Sequence, residues 1–571
     1  MGSEMCIRDR REDGGFKPNI MAPGSAVSTV PQWLVQPGVA ETGYTLPVGY
    51  AMFNGTSMAS PQAAGGAALL LSAGFATRTP ITPAQLRESM YTTADFVKGV
   101  EAVSQGTGQL DVPTTWSVLR DRPATRTFTT DAPVCTVISD FLATPDRGTG
   151  VYNRCAADDG GHKVGQSKSY KVKVTRTSGV SGEVAHRVRL IGNDGTFTVP
   201  PTASLRLDRA QTINVVAKPR TAGLHSAILV VDDPRTGVVD HRVMLAVVAS
   251  EDLKAPAYSL SKTGEVERNL VQRHFVAVPE GTKALQVNLG GIATNSQVRW
   301  IAFNPYGVPV DNTATTQCYT NFPGSPCNAN SRAYSNPIPG VWELIVESRR
   351  TSPFLDNPYR LTAAAQGVTV DPEIQTVAAP IGVATPVTWT VRNDFGPVTV
   401  TPQGGNLGSA LSQRPSIADA ASQEFEVAVP AGAQRLDVTI GNPSDLSADL
   451  DLSVYNAAGA LVGQDADGDS EESVSIASPA PGTYTVVVDG YSVPAGTTEY
   501  DYLDVFFSSA LGTLTVPGTA LTLDGGESAT VTGTLTAAAP AAAGRQLFGE
   551  MNVVTPAGAV LGTGSVLVSA P

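Results

Sequence analysis

The stretch Asn54–Ser72, NGTSMASPQAAGGAALLLS, decides how the chain is read. Gly55-Thr56-Ser57 predicts a sharp turn, and the Ala- and Leu-rich run behind it predicts a helix from about Met58 to Ala73. The Ser57 hydroxyl then sits at the positive end of a helix, where unpaired backbone N–H groups and the dipole favour developing negative charge. The helix is apolar on all sides and is expected to lie buried within an α/β domain. A hydroxyl in an ordinary helix-capping turn is the plainer reading, and it suffices for an isolated Gly-Thr-Ser.

Composition frames what surrounds this stretch. With 571 residues, 56 Gly, 41 Pro and only 16% charged residues, the chain calls for about three to five domains built from short strands and turns. A net charge of −13, with no lysine after Lys283, excludes the clustered basic surface that nucleic acid requires. No run of apolar residues is long enough for a membrane span.

Of the five cysteines, Cys135 and Cys155 form one local pair and Cys318 and Cys327 another, with Cys6 left over. Neither pair has CxxC spacing and no histidines cluster nearby, so the pairs read as disulfides of an oxidising compartment rather than as zinc ligands. Buried free thiols are the alternative.

Gly55–Pro61, GTSMASP, resembles the nucleophile block of subtilisin-like serine proteases (subtilases) position by position. Phe16–Gly24, FKPNIMAPG, is similar to the segment that precedes that block, with Asn19 in place of the usual Asp. Gly106–Val112, GTGQLDV, is similar to the block that closes the family's domain. Val30-Pro31-Gln32-Trp33 and Gly65-Gly66 resemble the tripeptidyl-peptidase II-like branch.

The resemblance covers about residues 14–120 and implies that Ser57 is the nucleophile of an acyl transfer, with its own N–H, supported by Thr56, as oxyanion donor. It also implies a protein or peptide substrate and no required cofactor. A histidine base and an orienting aspartate should precede the serine. Yet the first histidine here is His162, and the only earlier aspartates, Asp9 and Asp13, lack the family context. The chain is therefore expected to be inactive alone, its partner being a missing N-terminal half of the peptidase domain. His162 is expected to be a solvated surface residue of a turn-rich loop.

Met1–Asp13 has no periodicity and lacks the apolar core of a signal peptide, so residues 1–13 read as an artefactual segment. Beyond Arg120 the pattern changes to short alternating runs, Ser226–Val231 among them, that predict half-buried strands. Residues 121–250 read as an immunoglobulin- or fibronectin-like sandwich. Phe275–Val287 repeats in Phe425–Val438, and Pro339-Gly340-Val341-Trp342 repeats in Pro481-Gly482-Thr483-Tyr484. Both copies, 253–367 and 414–510, resemble the bacterial pre-peptidase C-terminal domain, a jelly-roll-like module. Phe197–Asp208 resembles Leu514–Asp524, which suggests that 368–413 plus 511–571 form one discontinuous sandwich.

Asp465, Asp467 and Asp469 have the first, third and fifth spacing of a calcium loop, but the glycine and the twelfth-position Glu of an EF-hand are out of place. A solvated hairpin is the competing reading. Trp300, Trp342, Tyr491 and Tyr500 either present a ligand face or pack a core.

The expected architecture is multidomain: a partial α/β subtilisin-like domain followed by all-β sandwich and jelly-roll-like domains. The expected function is that of the C-terminal part of a secreted peptidase. The alternative is a non-catalytic binding protein that carries a peptidase remnant.

Overall fold

The computed structural model describes residues 12–33, 45–311, 318–322, 327–466 and 469–569. It is mostly β, with helices confined to the first part of the chain. It divides into two compact units: one running to Ala365 apart from two short stretches, and one comprising those stretches and Gln366–Pro571.

The first unit begins with a hairpin in which β1 (Ser25–Thr29) pairs antiparallel with β2 (Tyr50–Asn54). Four helices follow: α1 (Thr56–Thr77), α2 (Pro83–Thr93), α3 (Ala102–Gln105) and α4 (Val112–Leu119). Local chemistry starts two of them. Thr82 and Gln85 form a reciprocal capping box with Pro83 in the first turn, and the Asp111 carboxylate caps α4 through the N–H of Thr114.

The all-round burial expected of α1 does not occur. Gly66, Leu70 and Gly74 form its one buried stripe, while Leu69 is 65% and Phe75 84% exposed. That stripe packs closely: a Cβ on Gly66 would lie 2.6 Å from Leu110 Cδ2. Leu70 joins Met90 and Leu119 in a small core. Among the described residues, no second layer covers the other sides of the helix.

A β-sandwich comes next, formed by β3 (Phe128–Cys135), β4 (Arg147–Gly148), β5 (Val151–Asn153), β6 (Lys168–Arg176), β7 (Glu183–Ile191), β8 (Phe197–Thr198), β9 (Thr202–Arg206), β10 (Ala210–Ala217), β11 (Gly223–Asp232) and β12 (His241–Ala249). The sheet order is β8-β10-β6-β3-β5-β12-β11-β7-β9, with β4 on β3. Strand β3 changes partner midway: Phe128–Asp131 pair antiparallel with β6, and Val134–Cys135 pair parallel with β5. The Cys135–Cys155 disulfide closes its end, with the two Cα atoms 5.6 Å apart.

Ser226–Val231 is buried on both faces rather than one. The inner face meets the sandwich core of Val172, Ile213 and Leu245. The outer face, with Ile228 and Val230, packs against Ala102 and Val103 of α3 and against Phe275 and Val341. Polar links flank that contact: Arg242 Nη1 lies 2.8 Å from Glu88, and Arg273 Nη1 lies 3.0 Å from Glu101.

In the next module Val271–Val278, Gly340–Ser348 and Val298–Phe303 pair in one sheet, while Ser259–Glu267 pairs with Asp356–Gln366 in another. Trp300 and Trp342 are core residues, and Cys318 and Cys327 are disulfide-bonded.

In the second unit, Thr385–Asn393 pairs with Ser528–Ala537 and Ile374–Val377 with Val560–Val568. The first pair belongs to a four-stranded sheet, and a nine-stranded sheet runs from the second pair through Gln546–Val554 into Gly408–Gln413, Asp501–Phe507, Arg435–Gly441 and Ser473–Ala477. Tyr500 lies in the core and Tyr491 is 71% exposed.

Candidate active site

Three segments distant in sequence converge on the turn before α1. Gly24 accepts a hydrogen bond from the Gly55 N–H at 2.8 Å, and Ser25 Oγ donates to Asn54 Oδ1 at 2.5 Å. From the other side Met21 exchanges backbone hydrogen bonds with Gly108 and Leu110, at 2.8 and 2.9 Å. Asn19 anchors this approach: its carbonyl accepts from both the N–H and the Oγ1 of Thr107.

Gly55 has φ 144°, a conformation that favours glycine, and it contributes no capping side chain. Nor does the first turn of α1 carry an acidic residue. The Thr56 and Ser57 N–H groups therefore head a 22-residue helix without a side-chain cap among the described residues, and the exposed Ser57 stands directly on the helix's positive end.

All five histidines of the chain are engaged in the β modules. His162 Nε2 bonds the Tyr170 hydroxyl at 2.7 Å, and His241 Nε2 bonds Thr130 at 2.6 Å. His274 bonds Tyr359, while His186 Nδ1 donates to the Val184 carbonyl. His225 donates through Nδ1 to Asp194 at 2.6 Å and through Nε2 to the Thr221 carbonyl at 2.9 Å. Burial opposes charge on His225, but these acceptors outweigh it and raise the pKa. Burial alone dominates for His162, His241 and His274, each held down at about 4.

His162 is thus a correction to the solvated loop residue expected. It is fully buried, held by Tyr170 and by a backbone bridge to Ala249, contacts that local sequence does not announce.

Of the calcium-loop residues, Asp467 lies outside the described residues. Asp465 Oδ2 accepts from the Ser473 N–H and Asp469 Oδ1 from the Glu471 N–H. Among the described residues, no group of three His, Cys, Asp or Glu side chains is arranged to hold a metal. The sequence reading names the stretches that contain Asn54 and Gly24 but not the contact that joins them. Their signal, a Pro-Gly turn ahead of a strand ending at Asn54, points to a hairpin that returns to the nucleophile turn.

Residues 2–112 match the profile of the subtilase family, residues 129–249 that of the Ig-like domain in actinomycete serine proteases, and residues 422–490 that of the bacterial pre-peptidase C-terminal domain. The chain therefore carries a subtilase-family segment, followed by an Ig-like domain of the kind found in actinomycete serine proteases and a bacterial pre-peptidase C-terminal domain.

It is homologous to pyrolysin of Pyrococcus furiosus, with 26% identity over 509 residues, 85% of this chain and 33% of that protein. Tripeptidyl-peptidase 2 of Oryza sativa subsp. japonica is 38% identical over 102 residues, 18% of this chain and 7% of the relative. The crystal structure of tripeptidyl peptidase 2 aligns with a TM-score of 0.49 and 14% identity, over 90% of this chain and 46% of that one. The chain thus spans a third of the length of pyrolysin and less of the plant enzyme.

Proposed function

We propose that this chain is the nucleophile-bearing part of a secreted serine peptidase, in which Ser57 attacks the scissile carbonyl of a protein substrate. The Ser57 N–H would steady the oxyanion and the Thr56 hydroxyl would support it, giving an acyl-enzyme that water hydrolyses. The histidine base and its aspartate would come from polypeptide outside the described residues, so the chain alone hydrolyses peptides barely or not at all. Two disulfides and the pre-peptidase C-terminal match favour an extracellular setting, and no helix of the structure is long and apolar enough to cross a membrane.

One observation carries the reading: an exposed serine heads an uncapped helix while every histidine of the chain is engaged in a β module. Fluorophosphonate labelling tests it. The 571-residue chain should not label, whereas a longer polypeptide that supplies the rest of the peptidase domain should label at Ser57 and lose the label on Ser57→Ala. Strong labelling of the 571-residue chain would place a working base inside it and defeat the proposal.

A further inference from the structure

The second unit holds a groove that the peptidase chemistry does not use. Side chains of its nine-stranded sheet alternate between two faces. Leu436, Val438, Phe506, Leu547 and Met551 point into the sandwich and jelly-roll cores and are buried. The opposite face carries Arg435, Asp437, Phe507, Phe548, Glu550 and Asn552, because Arg435 is paired with Phe507, Phe507 with Gly408, and Gly408 with Phe548. On this outward face Ala410, Val505, Phe507 and Phe548 are nonetheless 2–6% exposed and pack on one another.

Two adjoining cavities open along the same face, of about 240 and 650 Å³, and Arg435 and Glu550 line both. The larger lies within the range of small-molecule sites. Arg435 forms the shared floor. Its guanidinium lies 4.2 Å from the centre of the Phe507 ring, with Nε 2.6 Å from Asp437 and Nη2 2.5 Å from Glu550.

We infer that this groove binds a neutral oligosaccharide along the outward face of the sheet. Charge argues first. The one guanidinium is already matched by two carboxylates, so the groove offers no free cation to a phosphate or acidic peptide, and both carboxylates are committed to Arg435 rather than to a metal.

Geometry argues next. The groove runs across the sheet face from Gln403 to the terminal strand Ser473–Ala477, and most of its lining is side chains of paired strands, which offer an extended peptide few free backbone partners. What the walls do offer are hydroxyls and planar amides. The Thr439, Ser473 and Gln403 side chains line the cavities with no hydrogen bond to the protein among the described residues. Such groups donate and accept in pairs, as adjacent sugar hydroxyls require. Val554 and Val560 add apolar surface for the C–H faces of a ring.

Isothermal titration of the full chain with cello-, xylo-, manno- and chito-hexaose tests the assignment. At least one should bind with micromolar to millimolar affinity. Gln403→Ala and Thr439→Ala should each weaken that sugar at least about tenfold while leaving the unfolding midpoint unchanged, and Arg435→Ala should abolish binding. Silence across all four sugars would overturn the inference. So would sugar binding indifferent to Gln403→Ala and Thr439→Ala, or binding of an unfolded casein peptide that Thr439→Ala removes.

Discussion

Two nearly continuous apolar runs meet opposite fates in this protein. In β11 and β12, Ala227–Val231 and Val243–Ala249 are covered on both sides, by the sandwich core within and by α3, Phe275 and Val341 without. In α1, the run from Ala63 to Ala76 buries one stripe and leaves Leu69 and Phe75 in solvent. Composition cannot tell these fates apart, because an apolar run states only that covering is needed. The strands find theirs within this unit. The helix carries a surface suited to neighbours that the described residues do not provide, which is what the proposed function expects of it.

The largest effect should come from opening the doubly covered strand. Ile228→Ala removes a fully buried side chain from the contact between β11 and α3, and should cost about 2–5 kcal/mol in a denaturant titration. A cost below about 1 kcal/mol would mean that the outer face of β11 is only loosely covered, and the comparison would lose one of its sides.

Acid should act on the same modules nearly as strongly through each of three buried histidines. His162, His241 and His274 are held neutral with folded pKa values of about 4 against 6.5 for the free group. The unfolded chain therefore takes up protons first. Stability is full above about pH 6.5 and falls as the pH drops to about 4, by up to about 3 kcal/mol for each such histidine. His225 runs the other way: its pKa is raised, so its contribution is full below the free value and fades as the pH rises through the folded one. Thermal melts from pH 8 to pH 4 should thus show a maximum near neutrality followed by an acid decline. A flat profile across pH 6.5 to 4 would contradict the burial of these rings.

The Cys135–Cys155 bridge closes the end of β3 where the strand changes partner, joining cysteines with a sequence separation of 20. Replacing both by Ser should cost about 3 kcal/mol by chain entropy. Loss measured by urea unfolding should be confined to the first unit.

What the sequence made legible follows from the range of the forces involved. The Gly55-Thr56-Ser57 turn ahead of a helix is set by residues within a few positions of each other. Alternation likewise announced the strands. Burial of His162 depends on Tyr170 and on Ala249 from a distant strand, and the second covered face of β11 depends on α3 and Phe275. Such contacts leave no local trace. The exposed sides of α1 are the same lesson inverted: the pattern reports an environment that only long-range partners can supply.

The smallest predicted effect is the one that separates the two fates most sharply. Phe75 is 84% exposed, so Phe75→Ser should change the stability of this chain by less than about 0.5 kcal/mol. Leu70→Ala, one turn away in the buried stripe, should cost about 2–4 kcal/mol by the loss of its contacts with Met90 and Leu119. In a longer polypeptide that completes the peptidase domain, the proposal turns the first value around. Phe75 then lies under a new layer, and Phe75→Ser should cost several times more than it does here and lower fluorophosphonate labelling of Ser57. An equal, negligible effect in both proteins would show that this side of α1 faces solvent in the longer polypeptide too, and the exposed helix would cease to be evidence for a further neighbour.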